Sequence, residues 1–179
     1  MMISFWRWFF KGSGAGPGIR RFVDWWLVVH LFVGSLLACI LPITLEKAGT
    51  SLLLPLAGIF IGLSFAWGGN AQALLQSPEI TRLSKYRTGG YEEYLYTYQS
   101  AVLLILVSLC LWAIAGLGIF DKIWPASTTS VGYKIVDGVL FFFASMTLRE
   151  CWHVVLGAQS MLLTRFKIQE NSINGKKNG

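Results

Sequence analysis

The side chains best suited to chemistry lie in one short run, Arg149-Glu150-Cys151-Trp152-His153, within an otherwise apolar stretch. On a helix, Glu150 lies three residues and Arg149 four residues before His153, so the three side chains lie close together. Ionisable groups inside a membrane are costly and typical of gates, relays and coupling sites, whereas at the membrane boundary they pair and snorkel. We therefore consider Arg149, Glu150, Trp152 and His153 a candidate gate or coupling cluster, with a structural role as the open alternative.

The element that carries this cluster is predicted to be one continuous helix from Tyr133 to Ile168, because the stretch contains no proline. Such a helix would be roughly 50 Å long, whereas about 20 residues suffice to cross the hydrocarbon core. We expect a span over 133–153 and a cytoplasmic extension over 154–168. Arg149 would then lie about 24 Å from the outer end of the helix, near the inner membrane surface.

The composition of the whole chain is that of a membrane protein. Of its 179 residues, 54% are hydrophobic and 13% charged, and the mean hydropathy is +0.56. Soluble domains carry about 25% charged residues. Further apolar runs of spanning length lie near 25–41, 51–67 and 101–119. We predict an all-α polytopic membrane protein, a single domain with four transmembrane helices and cytoplasmic helical extensions, preceded by an interfacial helix over 3–10 and followed by a flexible tail over 169–179.

The net charge of +6 is explained by topology and not by nucleic-acid binding. Basic residues cluster on one side of the predicted spans, and the positive-inside rule makes that side cytoplasmic. Both termini and the central loop are therefore expected in the cytoplasm of a multi-pass inner-membrane protein. The basic residues on this side are Arg7, Lys11, Arg20, Arg21, Arg82, Lys85, Arg87, Arg165, Lys167, Lys176 and Lys177, against Lys47, Lys122 and Lys134 on the other.

The central segment over about 70–98 is predicted to be a cytoplasmic helical hairpin. Ser77-Pro78-Glu79 is a typical helix start, and Glu92-Glu93 suit the first turn of a second helix. The tyrosines of that helix recur at i, i+3 and i+7, on one face. This face is either an aromatic belt at the membrane interface or a partner surface. The candidate partner surface comprises Arg82, Lys85, Arg87, Tyr91, Tyr94 and Tyr98.

Two pairs of small residues predict close helix packing. Gly34 and Ala38 lie four residues apart in the first span, and Gly58 and Gly62 form a GxxxG motif in the second. Small residues allow helix backbones to approach closely in membranes. The second pair could pack within the subunit or between subunits. His30, in the first span, is either a functional intramembrane group or a structural one near the interface.

The sequence contains no nucleotide-binding loop, hydrolase elbow or zinc signature, so we expect neither enzyme activity nor a cofactor or metal. Two classes of function fit the organisation. One is a noncatalytic membrane anchor or sensor for a soluble cytoplasmic partner. The other is a homo-oligomeric pore or membrane-perturbing effector. Conductance by the purified protein alone would distinguish them.

In its size, span count, inward termini and inward-projecting helices, the chain resembles the small four-span membrane subunits of bacterial antiphage systems, such as the membrane component of Kiwa. The resemblance extends over the whole chain. It implies a homo-oligomeric inner-membrane assembly that works with a soluble effector in antiviral defence. A bacteriocin immunity protein, which is similar in size and topology and binds a pore-forming toxin within the bilayer, is a further alternative.

Overall fold

The computed structural model describes residues 4–12, 17–78, 90–123 and 130–177, and within these ranges the regular structure is entirely helical. We number the α-helices in chain order. They are α1 (Phe5–Lys11), α2 (Trp25–Ile40), α3 (Leu45–Lys47), α4 (Leu54–Leu75), α5 (Gly90–Gly116), α6 (Ile119–Ile123) and α7 (Val131–Lys177), with a 3-10 helix at Gly18–Phe22 and a π-helical segment at Ala48–Leu53.

Within the described ranges, three stretches of helix are long and apolar enough to cross a membrane: Leu45–Gly62, Leu95–Gly116 and Val131–Glu170. The first predicted span, 25–41, is a shorter apolar helix of 16 residues, Trp25–Ile40. The sequence limits its length, because Asp24 occupies the N-cap and Pro42 follows the C-cap residue. Proline cannot continue a helix without losing a backbone hydrogen bond.

The long helix α7 is the element around which the others pack. Helix α2 runs antiparallel to it, because Asp24 contacts Arg149 at one end and the carbonyl of Ala38 accepts a hydrogen bond from Lys134 at the other. Helix α5 meets α7 at a hydrogen bond of 2.9 Å from Thr147 to Ser108.

The second long helical stretch, α3 to α4, runs parallel to α7. The Tyr133 hydroxyl accepts a hydrogen bond from the backbone N–H of Leu45, and further along the Cys151 thiol lies 3.8 Å from the carbonyl of Phe60. The π-helical segment between α3 and α4 ends just before Pro55. In an α-helix the carbonyl of Ser51 would accept a hydrogen bond from the N–H of residue 55, which proline lacks. The change from π-helical to α-helical hydrogen bonding therefore lies where the sequence removes one α-helical hydrogen bond.

The main core lies between these elements, towards the end where α7 begins. It is apolar and almost closed to solvent, and it combines large rings with alanines that let the backbones approach. Its buried members are Leu45, Ala48, Leu53, Ala57, Trp112, Ala115, Tyr133, Leu140 and Phe141.

Helix α7 is longer than predicted at both ends. The predicted helix, Tyr133–Ile168, lies within the single helix Val131–Lys177. Of the predicted flexible tail over 169–179, the part up to Lys177 continues this helix. Residues 158–174 contain neither glycine nor proline, and lysines at a helix C-terminus interact favourably with the helix dipole. The helix therefore meets no stop signal before Gly175.

The N-terminal helix is held on the bundle. Ser4 caps α1 through the backbone N–H of Arg7, and Trp8 and Phe9 are buried against Tyr96 of α5, whereas Trp6 and Phe10 are exposed. The predicted interfacial helix thus packs on the chain with one face and points outward with the other.

The glycine-rich segment over 12–18 links α1 to the 3-10 helix, and its residues 13–16 lie outside the described part of the chain. Gly18, at its end, lies directly under the Trp8 ring, because a Cβ there would be 2.3 Å from the ring. This contact couples α1 to the 3-10 helix that leads into α2.

Candidate functional site: an ionic cluster where α2 begins

The candidate site depends on a close contact between α2 and α7. A Cβ on Gly34 would lie 2.6 Å from the carbonyl oxygen of Gly138 and 2.8 Å from the backbone nitrogen of Phe142. One turn earlier along α2, Nδ1 of His30 is 2.7 Å from the hydroxyl of Ser145. Backbone thus lies against backbone at Gly34, the arrangement that small residues permit, and the start of α2 is brought beside Arg149.

Arg149 forms a two-pronged ion pair with Asp24, the N-cap residue of α2. Its two terminal nitrogens lie 3.2 Å and 2.5 Å from the two carboxylate oxygens. Burial alone would raise the pKa of Asp24, but the hydrogen bonds and positive charge of Arg149 outweigh it, so this pKa lies below its ordinary value. Asp24 is therefore ionised at neutral pH.

Glu150, the next residue, faces a different direction and is fully buried, with 0% of the residue exposed. Its Oε2 lies 2.8 Å from a guanidinium nitrogen of Arg21. Arg21 also donates to the carbonyl of Thr97, at 2.9 Å, and to the hydroxyl of Ser100, at 3.3 Å. Arg21 therefore connects the 3-10 helix, α5 and α7 through one side chain. Its fixed fork of donors suits such a role.

Burial lowers the pKa of Arg21 from its ordinary value, and the negative charge of Glu150 opposes that effect. The other oxygen of Glu150, Oε1, accepts no hydrogen bond within the described part of the chain and lies 3.5 Å from Nδ1 of His153. The half-exposed His153 thus completes the group. We call Arg21, Asp24, Arg149, Glu150 and His153 the ionic cluster.

The cluster combines predicted and unpredicted residues. Of the four residues that the sequence singled out, Arg149, Glu150 and His153 belong to it, whereas the Trp152 side chain is exposed and points away. The sequence patterns did not single out Arg21 or Asp24. Arg21 served only as one of the basic residues that indicate the cytoplasmic side of the membrane. The available signal was the segment Arg21-Phe22-Val23-Asp24, whose two charges complement those of Arg149 and Glu150.

The predicted partner surface is only partly covered by the structure. Arg82, Lys85 and Arg87 lie outside the described residues, as do the side chains of Tyr91 and Tyr94. The side chain of Tyr98 is half-buried, and its hydroxyl group lies against Gly68, where a Cβ would be 1.9 Å away. Tyr98 thus packs on α4, because only glycine at position 68 leaves room for the ring. Its place in a partner surface stays a prediction.

Of the two predicted packing pairs, Gly34 and Ala38 face α7, and the Ala38 Cβ is 3.8 Å from where a Cβ on Gly138 would lie. At Gly58 and Gly62 an added Cβ would meet nothing within 4 Å. The second pair therefore faces away from the other described helices, and whether it packs within the subunit or between subunits stays a prediction.

A second polar group lies at the opposite end of the bundle. The Tyr133 hydroxyl donates to Asp121 at 2.9 Å, and the other oxygen of Asp121 accepts from the backbone N–H of Glu46 at 3.0 Å. These bonds tie α3, α6 and α7 together. Among the described residues, no three His, Cys, Asp or Glu side chains are grouped so as to hold a metal ion.

No family model, curated protein or solved structure matches the chain. Function must therefore be inferred from the geometry. Within the ionic cluster, the two carboxylates each pair with an arginine, and Glu150 also lies 3.5 Å from His153. These contacts fix the start of α2 against α5 and the middle of α7.

Proposed function

We propose that the chain is a noncatalytic, four-span protein of the bacterial inner membrane that acts as a membrane anchor or as a sensor for a soluble cytoplasmic partner. The three long apolar helices support membrane insertion. For the shorter α2, the support is its pairing with α7 at both ends, so it covers the same depth as residues 134–149. The outward face of α2 is apolar, as lipid contact requires; its exposed side chains include Val28, Leu31, Phe32, Leu36 and Ile40.

In this arrangement the ionic cluster lies at the cytoplasmic boundary. Trp25 and Trp26, directly after Asp24, are exposed, and tryptophan is the residue that favours the headgroup region. Charged groups at this depth are less costly than at the bilayer centre, and here they are paired. The proposed role of the cluster is to fix the angle at which α7 leaves the membrane.

The observation that carries the proposal is the course of α7 beyond the cluster. From Cys151 to Lys177 it continues as one helix, roughly 40 Å long. Val154, Val155 and Ala158 remain buried in the bundle. Beside this buried face, the helix carries an exposed row at i, i+4, i+11 and i+14, which we call the apolar stripe: Trp152, Leu156, Leu163 and Phe166.

An exposed row of large apolar side chains on one helix face is typical of helix-in-groove recognition. We propose that the apolar stripe binds the cytoplasmic partner. The resemblance to membrane subunits of antiphage systems supports a soluble effector as that partner and antiviral defence as the setting. Nucleic acid is not proposed as a partner, since the basic charges follow membrane topology.

The test is a pull-down of tagged protein from its own host in native nanodiscs, followed by mass analysis. We expect a stoichiometric soluble partner that is lost with Leu163→Gln and Phe166→Gln. Thr164→Gln, on the same helix at a partly exposed position about 80° or more around the axis from each stripe residue, is the matched control and should retain the partner. Recovery of the partner with all three variants would exclude the stripe as its binding surface.

A homo-oligomeric pore or membrane-perturbing effector is the second candidate, because Gly58 and Gly62 face outward beside the exposed Ile59 and Phe65. The interior of one chain is filled by its core, so a pore would have to form between copies. A homo-oligomer without a partner, dispersed by Gly58→Leu with Gly62→Leu and conducting in planar bilayers, would favour this candidate.

A further inference from the structure

Two carboxyl groups on α7, those of Asp137 and Glu150, are fully buried, each with 0% of the residue exposed. They lie roughly 20 Å apart along the helix. Glu150 is compensated by Arg21 at 2.8 Å. Asp137 is not compensated in this way: neither of its oxygens accepts a hydrogen bond from any residue that the structure describes. The two acids therefore differ in environment although they share a helix.

The donors nearest to Asp137 in the sequence bond to other groups. Tyr133, one turn earlier, donates its hydroxyl proton to Asp121. Lys134, on the adjoining face, donates one of its three N–H groups to the carbonyl of Ala38. Its charge partly offsets that of an ionised Asp137, but no ion pair forms between them. Trp112 lies in the core beside this part of α7. Its indole N–H donates to no acceptor within the described residues and therefore does not bond to Asp137.

No other charged group among the described residues pairs with Asp137. Helices α2 and α4 carry no acidic or basic side chain except His30, which is hydrogen-bonded to Ser145 two turns away along α7. Glu46 and Lys47 of α3 are exposed. Asp121 of α6 is of the same sign as an ionised Asp137. An ionised Asp137 would therefore be a buried charge with no counter-ion in hydrogen-bonding contact.

An isolated ionised carboxylate in a low-dielectric interior costs several kcal/mol or more, and such a group takes up a proton instead. We propose that the carboxyl group of Asp137 is a reversible proton-binding site within the bundle and holds its proton at neutral pH. Asp137 lies about 9 Å along α7 from its first residue, so the proton would exchange at that end. A metal ion is not proposed, because Asp137 joins no cluster of ligands within the described residues. The inference does not depend on the cytoplasmic partner.

The direct test is infrared spectroscopy of the protein in nanodiscs at neutral pH. A protonated carboxyl shows a carbonyl stretch at higher frequency than a carboxylate, and this band shifts in D2O when the proton exchanges. We expect such a band in the wild type, its loss in Asp137→Asn, and its retention in Glu46→Gln, the exposed control. Asparagine has nearly the shape of a neutral aspartic acid, so Asp137→Asn should fold. Identical spectra of wild type and folded Asp137→Asn would overturn the proposal.

A second test needs no variant. A hydrophobic carbodiimide modifies only protonated carboxyls: the acid proton moves to a reagent nitrogen, a carboxyl oxygen bonds to the central carbon, and the acyl group then migrates to nitrogen. The peptide gains one whole reagent molecule. We expect at least about tenfold more adduct on the Asp137 peptide than on the Glu150 peptide. Equal modification of both, or none on Asp137 together with no D2O shift, would contradict reversible proton binding.

Discussion

At the scale of single residues, the Arg21–Glu150 ion pair is the contact whose loss should cost most. Glu150 is buried, so Arg21→Gln leaves an uncompensated charge, with an expected loss of about 3 kcal/mol of unfolding free energy. The double variant Arg21→Gln with Glu150→Gln should be less destabilised than Arg21→Gln alone. Denaturant unfolding in detergent measures both. Arg20→Gln, an exposed neighbour, should change stability by less than about 0.5 kcal/mol; equal losses at positions 20 and 21 would contradict the assignment.

The Asp24–Arg149 pair predicts a dependence of stability on pH. The pKa of Asp24 is lowered in the folded protein, so its contribution is complete above the unfolded-state pKa and is lost as the pH falls through the folded-state value. Asp24→Asn should therefore lower the unfolding free energy by a constant amount from neutral pH down to about pH 4, and by less below it. Because Asp24 is one-third exposed, the amount should stay below about 1 kcal/mol. If the difference in unfolding free energy between wild type and Asp24→Asn instead grew as the pH fell, the assigned ion pair would be contradicted.

The sequence indicated three of the five residues of the ionic cluster, and the reason that it did not indicate the other two is physical. Arg149, Glu150 and His153 are neighbours on one helix, so their spacing alone brings them together. Arg21 and Asp24 reach them across more than a hundred residues of chain, through the close packing of α2 on α7. That register depends on Gly34 meeting Gly138, which no local pattern specifies.

At the scale of helices, the contact at Gly34 is a sharp test of the packing. A Cβ there would meet α7 backbone at 2.6 Å, and backbone cannot move aside as a flexible side chain can. Gly34→Ala should lower the unfolding free energy by about 1–3 kcal/mol. Gly157→Ala is the control, since a Cβ there meets nothing within 4 Å; it should be neutral or stabilise by up to about 1 kcal/mol. Similar effects of both substitutions would show that α2 does not lie against α7.

The sequence predicted the helices better than their ends and contacts. The apolar runs and the absence of proline predicted α7 as one element. The sequence did not predict the docking of α1, because Trp8 packs on Gly18 and Tyr96 through contacts that no local pattern specifies. It also did not predict that helix α7 continues to Lys177, because the polar composition of this segment is equally typical of a flexible tail. Hydropathy indicated α2, which is a helix of 16 residues. Hydropathy could not show that the two ends of α2 pair with residues 134 and 149 of α7.

At the scale of the whole molecule, the position of α2 determines the topology. If α2 crosses the membrane, four spans place both termini in the cytoplasm; if only the three longer helices cross, the termini lie on opposite sides. The pairs Asp24–Arg149 and Ala38–Lys134 hold the two ends of α2 at the two ends of one stretch of α7, which favours four spans.

The test is the accessibility of single cysteines to a membrane-impermeant thiol reagent. Lys11→Cys, Lys122→Cys and Lys167→Cys are each made in a variant in which Cys39, Cys110 and Cys151 have been replaced. With four spans, the cysteines at positions 11 and 167 should react only after cell lysis, and the cysteine at position 122, on the opposite side, should react in intact cells. Reaction in intact cells at position 11 but not at 167 would mean three spans. Asp24 and Arg149 would then lie on opposite sides of the bilayer, and their ion pair could not form.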